Sequence, residues 1–234
     1  GKGALTRELL AIAKDVGARV VAIEKDEALV AKLKETFSEE INSGILVIIA
    51  GDIRDINQGE TLKTPRSHLA GQSYVVAANI PYYITGEIIR QFLTAEEQPR
   101  AMALLVQKEV AQRIISKKES LLSLSVKAYG TPKIVAKVPR GNFSPPPNVD
   151  SAIFLVQNIS RDFFSGPVRS DASNGVSVSE ELFFKVIRAG FKSKRKFLLN
   201  NLAGEFGKEI AARAFTECGI SMKARAEDVP LEDW

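Results

Sequence analysis

Four short apolar runs, at residues 19–24, 45–49, 74–78 and 102–106, alternate along the chain with stretches of helical periodicity, and this alternation constrains the fold more than any other feature. Each run is rich in Val, Ile, Leu and Ala with no polar residue at its centre, which suits a strand buried on both faces. Parallel strands of that kind need helical crossovers. These are expected at 26–37 and 108–116, and a first helix places Leu5, Leu9, Ile12 and Ala13 on one face. The reading is an α/β fold with a doubly wound sheet, whose ligands bind at the carboxyl ends of the strands. Gly3, Glu24, Asp52 and Asn79 all fall at such ends.

Beyond residue 130 the pattern changes. Residues 133–138 and 151–157 are strand-like on either side of Gly141-Asn142-Phe143-Ser144-Pro145-Pro146-Pro147. Three consecutive prolines make a stiff, extended connection that fits an antiparallel pair at the end of the sheet. The polar stretch 165–179, with two glycines, one proline and five serines, reads as linker. Only helical periodicity follows, over 180–189, 194–202 and 208–218. The expected organisation is an α/β domain over 1–160, a linker over 161–179 and a small helical domain over 180–234.

Composition excludes several classes. Of 234 residues, 45% are hydrophobic, enough to offset the entropy of ordering the chain, so this is not a disordered protein. The longest apolar run, residues 45–50, falls far short of the roughly 20 residues that span a bilayer. One cysteine, Cys218, permits no internal disulfide, and with one histidine, His68, it leaves no cluster for zinc. A cytoplasmic protein without a metal is expected. A Ser-His-Asp triad would have to run through His68, in the polar loop 64–68, where nothing beside it suggests a nucleophile. His68 therefore reads as a surface loop residue, Cys218 as a small core residue beside Ala214 and Phe215, and Phe183, Phe184 and Phe191 as the core of the helical domain.

The net charge is only +4, yet Lys185, Arg188, Lys192, Lys194, Arg195 and Lys196 occupy a segment that holds no acid. If helix continues through Gly190, Lys185, Arg188, Lys192 and Arg195 form one stripe with Lys196 beside it; if helix divides there, the stripe becomes a charged corner. Solvated faces usually mix both signs, so the segment reads as a contact for a nucleic-acid backbone.

Three places carry chemistry. Gly1-Lys2-Gly3 opens a helix, and Glu24 ends the strand that follows. Glycines let a backbone approach a ligand and a strand-terminal acid can hold both hydroxyls of a ribose, but a tight turn and a solvated acid look the same at this level. Asp52, in Gly51-Asp52-Ile53-Arg54-Asp55, sits where a carboxylate accepts a hydrogen bond from the exocyclic amine of adenine or caps a turn. The sharpest signal is Asn79-Ile80-Pro81-Tyr82-Tyr83. An Asn at a strand end, a carbonyl before a proline and an adjacent ring suit a planar base that bears an amino group. That amine is a poor nucleophile, because its lone pair is delocalised into the ring. With the Asn79 side-chain oxygen and the Ile80 carbonyl accepting its two hydrogens, the nitrogen rehybridises and aims its lone pair at an electrophilic methyl. Taken alone, Asn-x-Pro is more often a turn that Asn caps and Pro stiffens.

Asn79-Ile80-Pro81-Tyr82 resembles the catalytic motif of adenine N6-methyltransferases. Phe143-Ser144-Pro145-Pro146-Pro147-Asn148-Val149-Asp150-Ser151-Ala152, the segment from Lys194-Arg195-Lys196 to Asn200-Asn201-Leu202, and Arg225-Ala226-Glu227-Asp228 followed by Leu231-Glu232-Asp233 narrow the likeness. Over essentially the whole chain, and in family order, the sequence resembles the small-subunit ribosomal RNA adenine dimethyltransferases. The resemblance implies a Rossmann-like methyltransferase sheet dependent on S-adenosylmethionine, with a small C-terminal helical domain. It implies an enzyme of ribosome biogenesis that places two methyl groups on N6 of each of two adjacent adenosines near the 3′ end of small-subunit rRNA.

By the same resemblance, Gly1 and Gly3 lie under the methionine part of the cofactor, Glu24 holds its ribose, Asp52 and Ile53 bind its adenine, and Asn79 adjoins it. Asn79, Ile80, Pro81 and Tyr82 are the catalytic residues, Tyr82 and Phe143 stack on the flipped base, and Lys185, Arg188, Lys192, Lys194, Arg195 and Lys196 meet the RNA backbone. The implied partner is small-subunit rRNA within the immature small ribosomal subunit, met by a monomer with no metal and no membrane. The family pattern includes a strand and a first glycine upstream of Gly1 and a helix after Trp234, so the sequence reads as cut at both ends and weakened cofactor binding is expected of it. Two alternatives share part of the pattern. Against the antibiotic-resistance methyltransferase of large-subunit rRNA stand the Pro145-Pro146-Pro147 loop and Arg225-Ala226-Glu227-Asp228; against a non-catalytic assembly factor on the same fold stand Glu24, Asp52 and Asn79.

Overall fold

The four apolar runs form strands within one residue of their expected bounds: β1 (Val20–Glu24), β2 (Leu46–Ala50), β3 (Val75–Asn79) and β4 (Ala101–Gln107). The computed structural model describes residues 1–55, 73–165 and 179–234. They fall into two units, residues 1–73 with 95–97 and residues 74–94 with 98–234. His68 and most of the expected linker lie outside the described residues.

In the first unit β1 and β2 pair in parallel, from Val20↔Leu46 to Glu24↔Ala50. Helix α1 (Ala4–Val16) precedes them, and α2 (Glu27–Thr36) and a short α3 (Ser38–Asn42) lie between them. Asp26 caps α2 by accepting from the backbone N–H of Ala28 and Leu29 at 2.9 and 3.1 Å. Leu10, Ala13, Val20, Leu33, Phe37 and Leu46 form the core. Gly3 caps α1 in the left-handed region at φ 84°, and a Cβ there would stand 2.6 Å from Phe37 and 2.9 Å from Leu33. Both backbone and packing demand glycine at this position.

The second unit is a mixed sheet of order β3-β4-β6-β5, with β5 (Thr131–Val138) and β6 (Ser151–Gln157). β3 runs parallel to β4, while β6 is antiparallel to both β4 and β5. The antiparallel pair expected around the proline loop is therefore present. β5 starts two residues earlier than expected, and Pro132 is accommodated because β5 is the edge strand. One face of the sheet presents Met102, Leu104, Val106, Ala152, Phe154 and Val156, all fully buried. Each such side chain of Val size or larger contributes about 2 kcal/mol by leaving water. Against the sheet pack α5 (Lys108–Ile115), through Ala111 and Ile114, and α6 (Leu121–Lys127), through Leu124 and Val126.

Two of this unit's helices were not legible in the pattern: α4 (Thr85–Leu93), which follows the Asn-Ile-Pro-Tyr segment, and α6. At the head of the expected linker, α7 (Asp162–Ser165) buries Phe164 among Tyr129, Phe163, Phe183 and Phe184. Burial and a hydrogen bond to Glu180 push the Tyr129 hydroxyl far above its ordinary range, so it donates to that carboxylate as a neutral phenol.

The helical part comprises α8 (Glu180–Gly190), α9 (Leu198–Phe206) and α10 (Lys208–Cys218). Leu198, Phe215, Ala226 and Val229 form its buried centre, with Phe191 and Trp234 stacked beside it. Phe183 is buried, but against Phe163 and Phe164 of α7 and not in this centre, and Cys218 is half-buried. The helix expected over 194–202 begins only at Leu198. Helix α8 stops at Gly190, where a Cβ would collide with the Trp234 ring and lie 2.8 Å from Leu198. The buried Asn201 amide then donates to the carbonyls of Gly190 and Ser193, fixing the intervening segment as a turn.

Candidate active site

Asn79 is the last residue of β3, its backbone registered opposite Leu105 of β4. Its side chain is exposed. Pro81 (φ −58°, ψ 134°) ends the strand, since a residue without an N–H cannot extend a ladder, and its carbonyl accepts from Ile84 in the 3₁₀ turn Tyr82–Ile84. Neither the Asn79 amide nor the Ile80 carbonyl is taken up by a hydrogen bond among the described residues. Two neighbouring acceptors are thus without a partner among the described residues, one on the exposed Asn79 and one on the buried Ile80.

Tyr82 is half-buried, and its hydroxyl lies 2.6 Å from Oγ of the fully buried Ser151. That contact joins the Asn-Ile-Pro-Tyr segment to the Phe143–Ala152 motif across 69 residues and fixes the ring. Sequence reasoning did not single out Ser151; its place in the second motif was the available signal. The proline loop is pinned as well. Asp150 accepts from the Arg140 backbone N–H at 3.1 Å and lies 3.6 Å from the Lys108 ammonium, while its carbonyl accepts from the Lys108 N–H. Phe143, half-buried, stands near the start of this loop.

Thr85 opens α4 with its hydroxyl buried and unpaired among the described residues. A buried hydroxyl without a partner costs about 1–3 kcal/mol. Thr85→Val accordingly raises stability by about 1 kcal/mol, read as a higher Tm in thermal denaturation; a lower Tm would mean that the hydroxyl has a partner.

In the first unit, Glu24 Oε1 accepts from the backbone N–H of Lys25 and Asp26 at 2.9 and 3.2 Å, and Oε2 meets the Gly1 amino group. Burial opposes ionisation of Glu24, while the two backbone hydrogen bonds favour it. Asp52 follows the neighbouring strand. Bonds from Arg54 Nε at 3.0 Å and Nη2 at 2.7 Å, joined by the Arg54 backbone N–H, hold it well below the ordinary carboxylate range. Both groups are oriented anions at the carboxyl ends of adjacent parallel strands. Ile53 is half-buried beside Asp52, Gly3 is buried, and nothing lies within 4 Å of a Cβ built on Gly1.

The basic segment is a charged corner and not a stripe, because α8 ends at Gly190. Lys185 is drawn aside, 3.8 Å from Glu205 and 5.5 Å over the Phe206 ring, so an acid meets the segment after all. Arg188, Lys192, Lys194, Arg195 and Lys196 stay exposed. The Arg225-Ala226-Glu227-Asp228 motif has a structural part that its sequence did not announce. Glu227 takes the Lys118 ammonium at 2.7 Å, which lowers the Glu227 carboxyl and raises Lys118, and its carbonyl accepts from the Glu119 N–H at 2.7 Å. Among the described residues no cluster of His, Cys, Asp and Glu has the form of a metal site, and no helix is long and apolar enough to cross a membrane.

A family model described as ribosomal RNA adenine dimethylase matches residues 1–234. Ribosomal RNA small subunit methyltransferase A of Dehalococcoides mccartyi is 40% identical over all of this chain and 74% of its own length. The protein of the same name from Clostridioides difficile is 35% identical over all of this chain and 76% of its own length. Among solved structures, the 23S rRNA methyltransferase ErmE superposes with a TM-score of 0.69 at 22% identity, covering 100% of this chain and 84% of that one. A dimethyladenosine transferase from Plasmodium falciparum gives 0.67 at 23% identity, covering 99% and 75%. At these identities the structural likeness shows the shared α/β methyltransferase fold.

Proposed function

Because the chain belongs to the ribosomal RNA adenine dimethylase family, we propose that it methylates N6 of two adjacent adenosines near the 3′ end of small-subunit rRNA, twice each. The observation that carries this reading is the pair of open acceptors at Asn79 and Ile80. An adenine amine has two hydrogens to give, and accepting both leaves its nitrogen lone pair directed away from the ring plane. Pro81 fixes the Ile80 carbonyl and the Ser151 contact fixes Tyr82, so the amine is received by a pre-formed group. Tyr82 and Phe143 supply rings for the flipped base. No residue here needs to act as a strong base, since the proton leaves only after the nitrogen has become cationic.

The residues of the first unit suit a nucleoside cofactor. Glu24, oriented by two backbone N–H groups, presents an acceptor for a ribose diol, and Asp52 with Ile53 an acceptor and an apolar surface for adenine. Gly1, where a Cβ would meet nothing within 4 Å, leaves room for the methionine portion, while Gly3 serves the turn that opens α1 over Phe37 and Leu33. S-adenosylmethionine, when bound, supplies an electrophilic methyl on a leaving group that departs neutral. The relatives named for the small subunit match at 35–40% identity, which favours that subunit over the large-subunit reading. A monomer acting in the cytoplasm on the immature small subunit completes the proposal.

The exposed cations at the end of α8 hold the rRNA backbone. Each phosphate contact adds about 0.7–0.9 to the slope of log K against log salt. Changing Arg188, Lys192 and Arg195 to Ala therefore weakens binding to small subunits and flattens that slope by about two to three units. An unchanged slope would make the corner an ordinary solvated surface. The function itself is tested by offering labelled S-adenosylmethionine with isolated small and large subunits: label enters small-subunit rRNA, whereas label confined to large subunits, or to neither, refutes the assignment.

A further inference from the structure

Tyr82 and Tyr83 are consecutive in one 3₁₀ turn, yet their surroundings are opposite. With three residues per turn, successive side chains point about 120° apart. Tyr82 turns inward to Ser151, whereas Tyr83 is 78% exposed, and its side chain makes no hydrogen bond and no ring contact among the described residues. Several other rings of this unit are gathered into clusters, and the next most exposed, Phe197, is only 41% exposed. It stands four residues from Asn79 on the same connection.

Resting on the function proposed above, we propose that Tyr83 is the stacking platform for the base next to the adenosine being methylated. The substrate chemistry calls for one. Drawing a base out of a single strand or loop costs its neighbour a stacking partner, a loss of a few kcal/mol. An aromatic face set beside the entry to the site replaces that partner and accepts any base, since every base has a π-face. Strand polarity fixes which neighbour, 5′ or 3′, meets the ring, so the adenosine outside the site lies on Tyr83 in one half of the reaction and an ordinary flanking base lies there in the other, which a platform indifferent to base identity accepts. Tyr83 contacts substrate without touching the reacting amine, so its contribution falls on substrate binding more than on the chemical step.

The test pairs a protein change with a substrate change. Small subunits are assembled with rRNA carrying either the intact sequence or an abasic nucleotide beside a single target adenosine. On intact substrate Tyr83→Ala raises KM by about 5- to 150-fold, with kcat affected less, and Tyr83→Phe and Tyr83→Trp restore it. On the abasic substrate the wild type loses the same factor and Tyr83→Ala loses nothing more, because the partner base is already gone. Equal losses for Tyr83→Ala on both substrates would overturn the inference and make Tyr83 structural or a contact for ribosomal protein. Wild-type KM in Tyr83→Ala would overturn it as well. Failure of the wild type to methylate either intact subunit would be a failure of the function, seen before any variant is compared.

Discussion

Asn79→Ala lowers kcat for methyl transfer by about 10²- to 10³-fold and leaves cofactor affinity nearly unchanged. The contact tightens as the reaction proceeds. In the ground state the adenine amine is planar and its hydrogens are ordinary donors; as its nitrogen bonds to the methyl it becomes cationic, and both hydrogens bind their acceptors more strongly. A contact that strengthens towards the transition state acts on kcat. The side chain is exposed and makes no hydrogen bond among the described residues, and the backbone is held by pairing with β4, so its removal leaves the fold intact. Asn79→Asp keeps an acceptor in place and loses less. A wild-type rate for Asn79→Ala would remove Asn79 from the mechanism.

Lys127→Met destabilises the protein by about 2–4 kcal/mol, the largest stability effect expected of a residue away from the site. The Lys127 ammonium lies 2.6 Å from Glu119 and donates to the Ser116 carbonyl at 3.0 Å. The Glu119 side chain is 6% exposed, and its other oxygen accepts from Ser123 at 2.6 Å. Removing the cation strands a carboxylate away from water with one hydroxyl to solvate it, and that costs more than the pair itself contributes. Glu119→Gln with Lys127→Met removes the stranded charge and keeps an acceptor for Ser123, so the double variant recovers most of the loss. In thermal denaturation the single change lowers Tm by about 5–15 °C. A double variant no better than the single one would show that packing, not charge, holds this corner. The corner also carries the clasp to Glu227, so its loss reaches the helical part of the chain.

The strands were legible because a run buried on both faces leaves a continuous apolar signal, and the acid or amide closing each run marked the functional edge. Helix α4 was hidden. It starts one residue before Gly86, and its β-branched Ile88 and Ile89 fit a strand as well as a helix. Helix α6 starts on a capping box closed by two serines, Ser120 and Ser123, in place of the usual Glu. Lys194, Arg195 and Lys196 suggested helix because long basic side chains favour it, but the Asn201 amide claims two carbonyls of the preceding turn. No local pattern reports such a bond. Lys118 and Glu227, 109 residues apart, and Tyr82 with Ser151 belong to the same class, contacts made only when the chain has folded.

Reception of an adenine amine by the Asn79 and Ile80 acceptors is read out by treating small subunits with the protein and S-adenosylmethionine, digesting the rRNA to nucleosides and identifying the methylated product by mass. The expected product is N6,N6-dimethyladenosine, two per subunit, falling to trace levels with Asn79→Ala. Methyl groups on ribose, on a ring carbon or on cytosine, or dimethyladenosine undiminished in Asn79→Ala, would contradict it.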